Sequence, residues 1–103
     1  MRGVLETILR DATFDGAAEL RAQVPHTTVA GGPVTFLQLA VEVGTAQAPF
    51  RGTVIPGRFV VGDSGELLVW VSNGYLSALE FAWVKDDPPT RLPDPELISV
   101  LGS

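Results

Sequence analysis

Along the first two dozen residues the apolar positions recur every third or fourth place, and from His26 onward they recur every second place. Val4, Leu5, Ile8, Leu9 and Ala12 fall on one side of a helix, with Glu6 and Arg10 four apart as a supporting ion pair. Past Thr13 and Phe14, Asp15 stands where an N-cap would satisfy the first amides of a second helix. Its stripe is Ala17, Leu20 and Val24, and Glu19 lies near its positive end. Pro25 ends it. Both helices are too short to be stable alone, so both need something larger on which to lay their stripes.

That larger object is a sheet. The run 33–43, PVTFLQLAVEV, alternates: Leu37, Leu39, Val41 and Val43 face one way and Phe36, Gln38, Ala40 and Glu42 the other, as in a half-buried strand. GTAQAPFRG is a loop or a crossing, since Pro49 and Pro56 argue against a central strand between them. RFVV, 58–61, is a short strand, GDSG a turn, and ELLVWVS a longer strand. Asn73-Gly74 then supplies the two positive-φ positions of a type I′ hairpin turn. A two-residue loop there sets Ser72 opposite Tyr75, Val71 opposite Leu76 and, if pairing continues regularly, Leu68 opposite Leu79.

Regular pairing gives a hairpin with two apolar faces. One holds Leu68, Trp70, Tyr75, Leu79, Phe81 and Trp83; the other holds Leu67, Val69, Val71, Leu76, Ala78, Ala82 and Val84, interrupted by Glu80. A sheet with a wet side normally alternates apolar with polar, and two short helices roof only one face. The second face is then covered by the chain itself or kept for a partner, and a one-residue slip would rearrange both lists. After Val84, prolines at 88, 89, 93 and 95 forbid ladder pairing and favour an extended path; Asp94 followed by Pro95 suits a helical turn through Ile98. The expected fold is α+β: two short N-terminal helices packed on a small antiparallel sheet of about four strands, a meander with an Asn-Gly hairpin, and a proline-rich tail. Residues 1–103 form a single domain.

Composition narrows the chemistry. Hydrophobic residues make up 46% and charged residues 18% of the chain, which is enough apolar material for one core. Without cysteine there is neither a disulfide nor a thiolate metal site, and His26 is the sole imidazole, so no metal or other cofactor is expected. The opening MRGVLETILRDATF lacks the pattern of a signal peptide and no window suits a membrane span, which points to a cytoplasmic protein with no membrane partner. The net charge of −5 is uneven: residues 1–51 hold five acids and four bases, residues 52–103 seven acids and three bases. Such a field repels phosphate backbones, which argues against nucleic acid and in favour of a basic protein.

Two stretches, FDGAAELRAQVPHTTVAGGP and NGYLSALEFAWVKDDPPTRLPDPELI, resemble a family of small uncharacterised, mainly actinobacterial proteins. The family pattern runs F-x-G-A-x-x-L-R-A-Q-x-P near the start and GYLSxLExxW followed by DxPPxxxPxP near the end. The likeness covers about half the chain and implies a unit that folds as a whole, of immunity type, with no established activity to carry over. Some members place cysteines after the Gly-Gly step. Here Pro33, Val34 and Thr35 follow Gly31-Gly32, so no metal role is implied.

Catalysis needs convergent groups, and the sequence signals few. His26 follows Pro25 in a loop with nothing tying it to a nucleophile, and no serine stands in a G-x-S-x-G elbow, so no enzyme is expected. Gly31-Gly32-Pro33 lacks the lysine and later glycine of a phosphate loop. Asp86 and Asp87 are adjacent beyond a strand end, where solvated turn acids are the ordinary reading. A carboxylate on the apolar face, Glu80, should meet an arginine, for which Arg58 or Arg91 would serve, or lie at an edge.

The leading expectation is a small acidic protein-binding domain, an immunity protein that neutralises a basic, nuclease-like toxin by occlusion. Asp86, Asp87, Asp94 and Glu96 supply the field, Glu80 meets a lysine or arginine of the target, and Trp83 and Tyr75 belong to the docking surface. The alternative is a small-ligand binder or enzyme with a pocket between helices and sheet, lined by Tyr75, Trp83 and Glu80. A third reading is a homodimer held through the sheet.

Overall fold

The strand that follows the Asn73-Gly74 corner contains one residue more than its partner, and that residue decides which side chains reach the core. The computed structural model describes residues 1–101. Two α-helices, α1 (Arg2–Leu9) and α2 (Ala17–Gln23), lead through a 3-10 turn (Val24–His26) into six strands. These are β1 (Thr27–Gly31), β2 (Phe36–Val41), β3 (Arg58–Val61), β4 (Gly65–Ser72), β5 (Tyr75–Trp83) and β6 (Ile98–Leu101), the last entered through a second 3-10 turn, Pro95–Leu97. All pairings are antiparallel, in the order β1-β2-β5-β4-β3-β6. No helix among the described residues is long and apolar enough to cross a membrane.

The α+β class and the two N-terminal helices hold, with six strands where about four are expected. The two additional strands are the edges. Thr27–Gly31 carries one large apolar residue and Ile98–Leu101 is four residues long, so neither advertises itself; each needs only a neighbour's backbone. The meander holds for β3, β4 and β5, whereas β2 lies on the far side of β5. Residues 42–57 make that crossing, and part of it extends β3's side of β4: Val71 N donates to Thr53 O at 2.8 Å and Ile55 N to Val69 O at 3.1 Å. Pro56 then separates this stretch from β3.

At the hairpin, Asn73 (φ 53°) and Gly74 (φ 79°) both take positive φ, and Ser72 pairs with Tyr75 as expected. Val71 pairs with Leu76, but Trp70 then pairs with Ala78, leaving Ser77 as the extra residue of a β-bulge. From there on the facing of β5 is the opposite of that given by regular pairing. Leu79 and Phe81 join Leu67, Val69, Val71 and Leu76 in the buried core, while Ala78, Glu80 and Ala82 share the outer face with Leu68 and Trp70. The two lists given by regular pairing are therefore corrected: the bulge sends Leu79, Phe81 and Trp83 inward and leaves Leu68 and Trp70 outside with Ala78, Glu80 and Ala82. Gly65 is the constraint at the far end of the pairing, because at its φ of +145° a Cβ would lie 2.1 Å from Ala82 O.

The helices roof the inner face with the predicted stripes, Val4, Leu5, Ile8 and Leu9 from α1, Leu20 from α2 and Val24 from the 3-10 turn that continues it, all buried. Their ends differ from expectation. Gly16, at φ 94°, precedes α2 and Asp15 makes no cap; a left-handed residue here lets Phe50 pack against the backbone, within 3.1 Å of where a Cβ would stand. Arg21 Nη1 donates to Leu9 O and so closes the C-terminus of α1. Glu6 and Arg10 do not form an ion pair among the described residues; Arg58 pairs with Glu66, and His26 Nδ1 lies 3.4 Å from Glu42 Oε2.

The buried polar link between the layers is Gln23, fully enclosed at the end of α2. Its Nε2 donates to Ala46 O at 3.0 Å and Gly74 O at 2.8 Å, and its Oε1 accepts from Leu76 N at 3.0 Å. Leu76 needs that acceptor: in a non-hydrogen-bonded pair its amide points away from β4, and β2's pairing with β5 stops at Ala78. Gln23→Leu should therefore cost roughly 1–3 kcal/mol, because the Leu76 amide stays buried without an acceptor, while Gly74 O keeps its bond from Ala48 N. Urea titration checks it, with a lowered midpoint and unchanged slope expected.

Candidate functional site

β5 ends at Trp83, opposite Gly65, and Val84 N donates to Ser64 O at 3.0 Å before the chain leaves the sheet. The next strand in sequence, β6, lies beyond both β4 and β3 in the sheet order. Residues 84–94 must therefore cross the ends of two strands, and Pro88, Pro89 and Pro93 make that crossing an extended strap that cannot pair. Asp94 finishes it as the cap of the 3-10 turn, its Oδ1 accepting from Glu96 N at 3.4 Å. The turn feeds β6 into register with β3, Ile98 opposite Val61.

Between strap and sheet lies an open cleft of about 620 Å³. Val61, Ser64, Phe81 and Trp83 form its sheet side, and Pro89, Leu92, Pro93, Pro95 and Leu97 its strap side. Lys85, Asp87, Arg91 and Asp94 also line it. Trp83 lies on the inward side of β5 but beyond the reach of the helices, and so is 41% exposed; Leu97 on the strap side is 61% exposed, and Val84, at 74%, extends the apolar surface outside the cleft. Within the cleft two carboxylates face two cations. The wider end of the sheet is acidic, since Asp63 in the β3–β4 turn, Asp86 and Glu96 are gathered there as well. None of these five carboxylates lies within ion-pair distance of a basic side chain among the described residues.

The site residues expected from sequence thus divide. Trp83, Asp86, Asp87, Asp94 and Glu96 come to one end of the molecule. Tyr75 sits at the hairpin tip, eight residues along β5 and roughly 25 Å away by strand geometry. Glu80 is on the outer face opposite Leu68 and Phe36, where its Oε1 accepts from Trp70 Nε1 at 3.1 Å. Neither of the expected arginines meets it among the described residues: Arg58 is taken by Glu66, and Arg91 lines the cleft at the strap. The Phe36 ring stands 6.3 Å from that of Trp70, so Glu80 tops a small aromatic patch.

Tyr75, Glu80 and Trp83 therefore share no pocket, and the space between helices and sheet is occupied by the core itself. The residues that sequence reasoning missed are Asp63, Lys85, Arg91, Leu92 and Leu97. The proline spacing was the available signal: a strap that cannot pair has to cross something, and its side chains then face whatever it crosses. His26 stands 3.4 Å from Glu42 on the surface, with both side chains more than half exposed. Among the described residues no three His, Asp or Glu side chains are gathered where they would share a metal ion. No protein-family model, curated protein or solved structure matches the chain.

The division of labour along β5 can be measured. Trp83→Ala should lower stability by less than about 1 kcal/mol, as for a surface side chain, whereas Phe81→Ala two residues earlier should cost about 3–5 kcal/mol. Equal losses in denaturant titrations would place Trp83 in the core instead.

Proposed function

We propose that this is a small acidic protein-binding domain that occludes a basic partner with the strap end of its sheet, in the manner of an immunity protein neutralising a nuclease-like toxin. What supports the reading is one coincidence of position: Asp87 and Asp94 line the cleft with Trp83, the most exposed of the Phe, Tyr and Trp side chains, and Asp63, Asp86 and Glu96 lie at the same end of the sheet. None of the five carboxylates is in an ion pair among the described residues. Long-range attraction between such a surface and a basic one speeds encounter, and a desolvated aromatic anchor slows release. The strap suits an interface because its prolines are already extended and lose little freedom when covered. Glu80 and Tyr75 fall outside this surface, so the reading rests on Trp83, Asp86, Asp87, Asp94 and Glu96.

A second reading has its own observation. The cleft volume of about 620 Å³ lies within the range of small-molecule sites, and its lining balances Asp87 and Asp94 against Lys85 and Arg91. A small zwitterionic ligand fits that balance better than a basic protein does. The protein reading is preferred because the surplus of acid, Asp63, Asp86 and Glu96, and the exposed Val84 lie outside the cleft lining, where a small ligand does not reach.

The test separates rate from residence. With the partner recovered from the native cell by affinity capture, Asp86→Asn combined with Asp87→Asn should slow association several-fold at low salt and leave dissociation nearly unchanged. Trp83→Ala should do the converse. An association rate indifferent to both salt and the double substitution removes the acids from the interface.

A further inference from the structure

The two edges of the sheet are finished differently. β1 is interrupted by an extra residue between Val29 and Gly31, and its Thr27 carbonyl accepts from Arg2 Nε at 2.9 Å. Bulges and charged side chains are the usual means of keeping an open edge from pairing. β6, at the opposite edge, has neither. It pairs with β3 in unbroken register from Arg58–Leu101 to Val61–Ile98, and Ile98-Ser99-Val100-Leu101 contains no charge and no proline. Apart from Ile98 N, which donates to Pro95 O, its outward amides and carbonyls have no partner among the described residues, and Val100 and Leu101 are each 47% exposed.

We infer that β6 pairs with β6 of a second copy, antiparallel across a two-fold axis, so that two six-stranded sheets become one. An antiparallel strand edge presents donors and acceptors in alternation and is complementary to itself after such a rotation. With the axis at Val100, that side chain meets its own counterpart on the helix side. Ser99 then meets Leu101 twice on the outer face. Charge decides between this occupant and a strand from a basic protein: β6 carries no carboxylate to attract one, and the neighbouring Arg58 is already held by Glu66. An uncharged edge is also the place where two chains of net charge −5 approach at least cost. Four-residue edges cover well under the roughly 1,600 Å² of a standard interface, so the dimer is weak and depends on concentration.

Sedimentation velocity on the purified chain over a range of concentrations tests this. The expected result is a monomer–dimer equilibrium that strengthens with added salt, as repulsion between the two acidic chains is screened. Capture of a basic protein through the strap end has the opposite salt dependence. Val100→Lys, with its fold checked by circular dichroism, should weaken the dimer at least about tenfold. On the unmodified chain, amide hydrogen exchange at residues 98–101 should slow as concentration rises. A chain that remains monomeric throughout overturns the inference. So does a dimer that Val100→Lys leaves intact but Phe36→Ser on the outer face disrupts.

Discussion

One side-chain amide joins the three parts that have to agree for this molecule to fold. Gln23 leaves the end of α2, enters a space closed to water, and bonds the crossing segment at Ala46, the hairpin corner at Gly74 and the strand at Leu76. A buried amide left without partners is costly, and so are the backbone groups it serves. Helix, crossing and hairpin are therefore placed together. Thr27, equally buried, adds a hydroxyl donated to Gln23 O at 2.8 Å, which fixes the path from α2 into β1.

The bulge at Ser77 lies next to that junction. It offsets β5 by one place and turns a strand with hydrophobic residues at both parities into one with a proper inside and outside. The consequences run the length of the strand. Phe81 enters the core, Glu80 is delivered to Trp70 on the outer face, and Trp83 is aimed inward past the end of the helical roof. Trp83 is exposed, in other words, through a shortage of cover, and the strap forms a partial wall opposite it.

Where the chain travels after Trp83 explains why chemistry collects at one end. A proline-rich segment returning from β5 to an edge two strands away passes over the strand ends, and it brings Lys85, Asp87, Arg91 and Asp94 against them. The same path delivers β6 to β3 with an uncharged outer edge. Acidic surface and open edge are thus neighbours but differ in character: one suits attraction at a distance, the other short-range pairing.

The sequence by itself determined the elements whose signals are local. The stripes Val4, Leu5, Ile8, Leu9 and Leu20, Val24 specify two helices, the Asn73-Gly74 pair specifies the corner, and the prolines after Val84 exclude further pairing there. Five of the seven proposed contact residues were legible as a group because they are close in the chain. Tertiary structure alone decided the facing of β5 beyond Leu76, since a bulge is written in the fit between two strands and not in either one. It also decided the partner of Glu80 and the existence of β1 and β6, because an edge strand is stabilised by its neighbour's backbone and needs little pattern of its own.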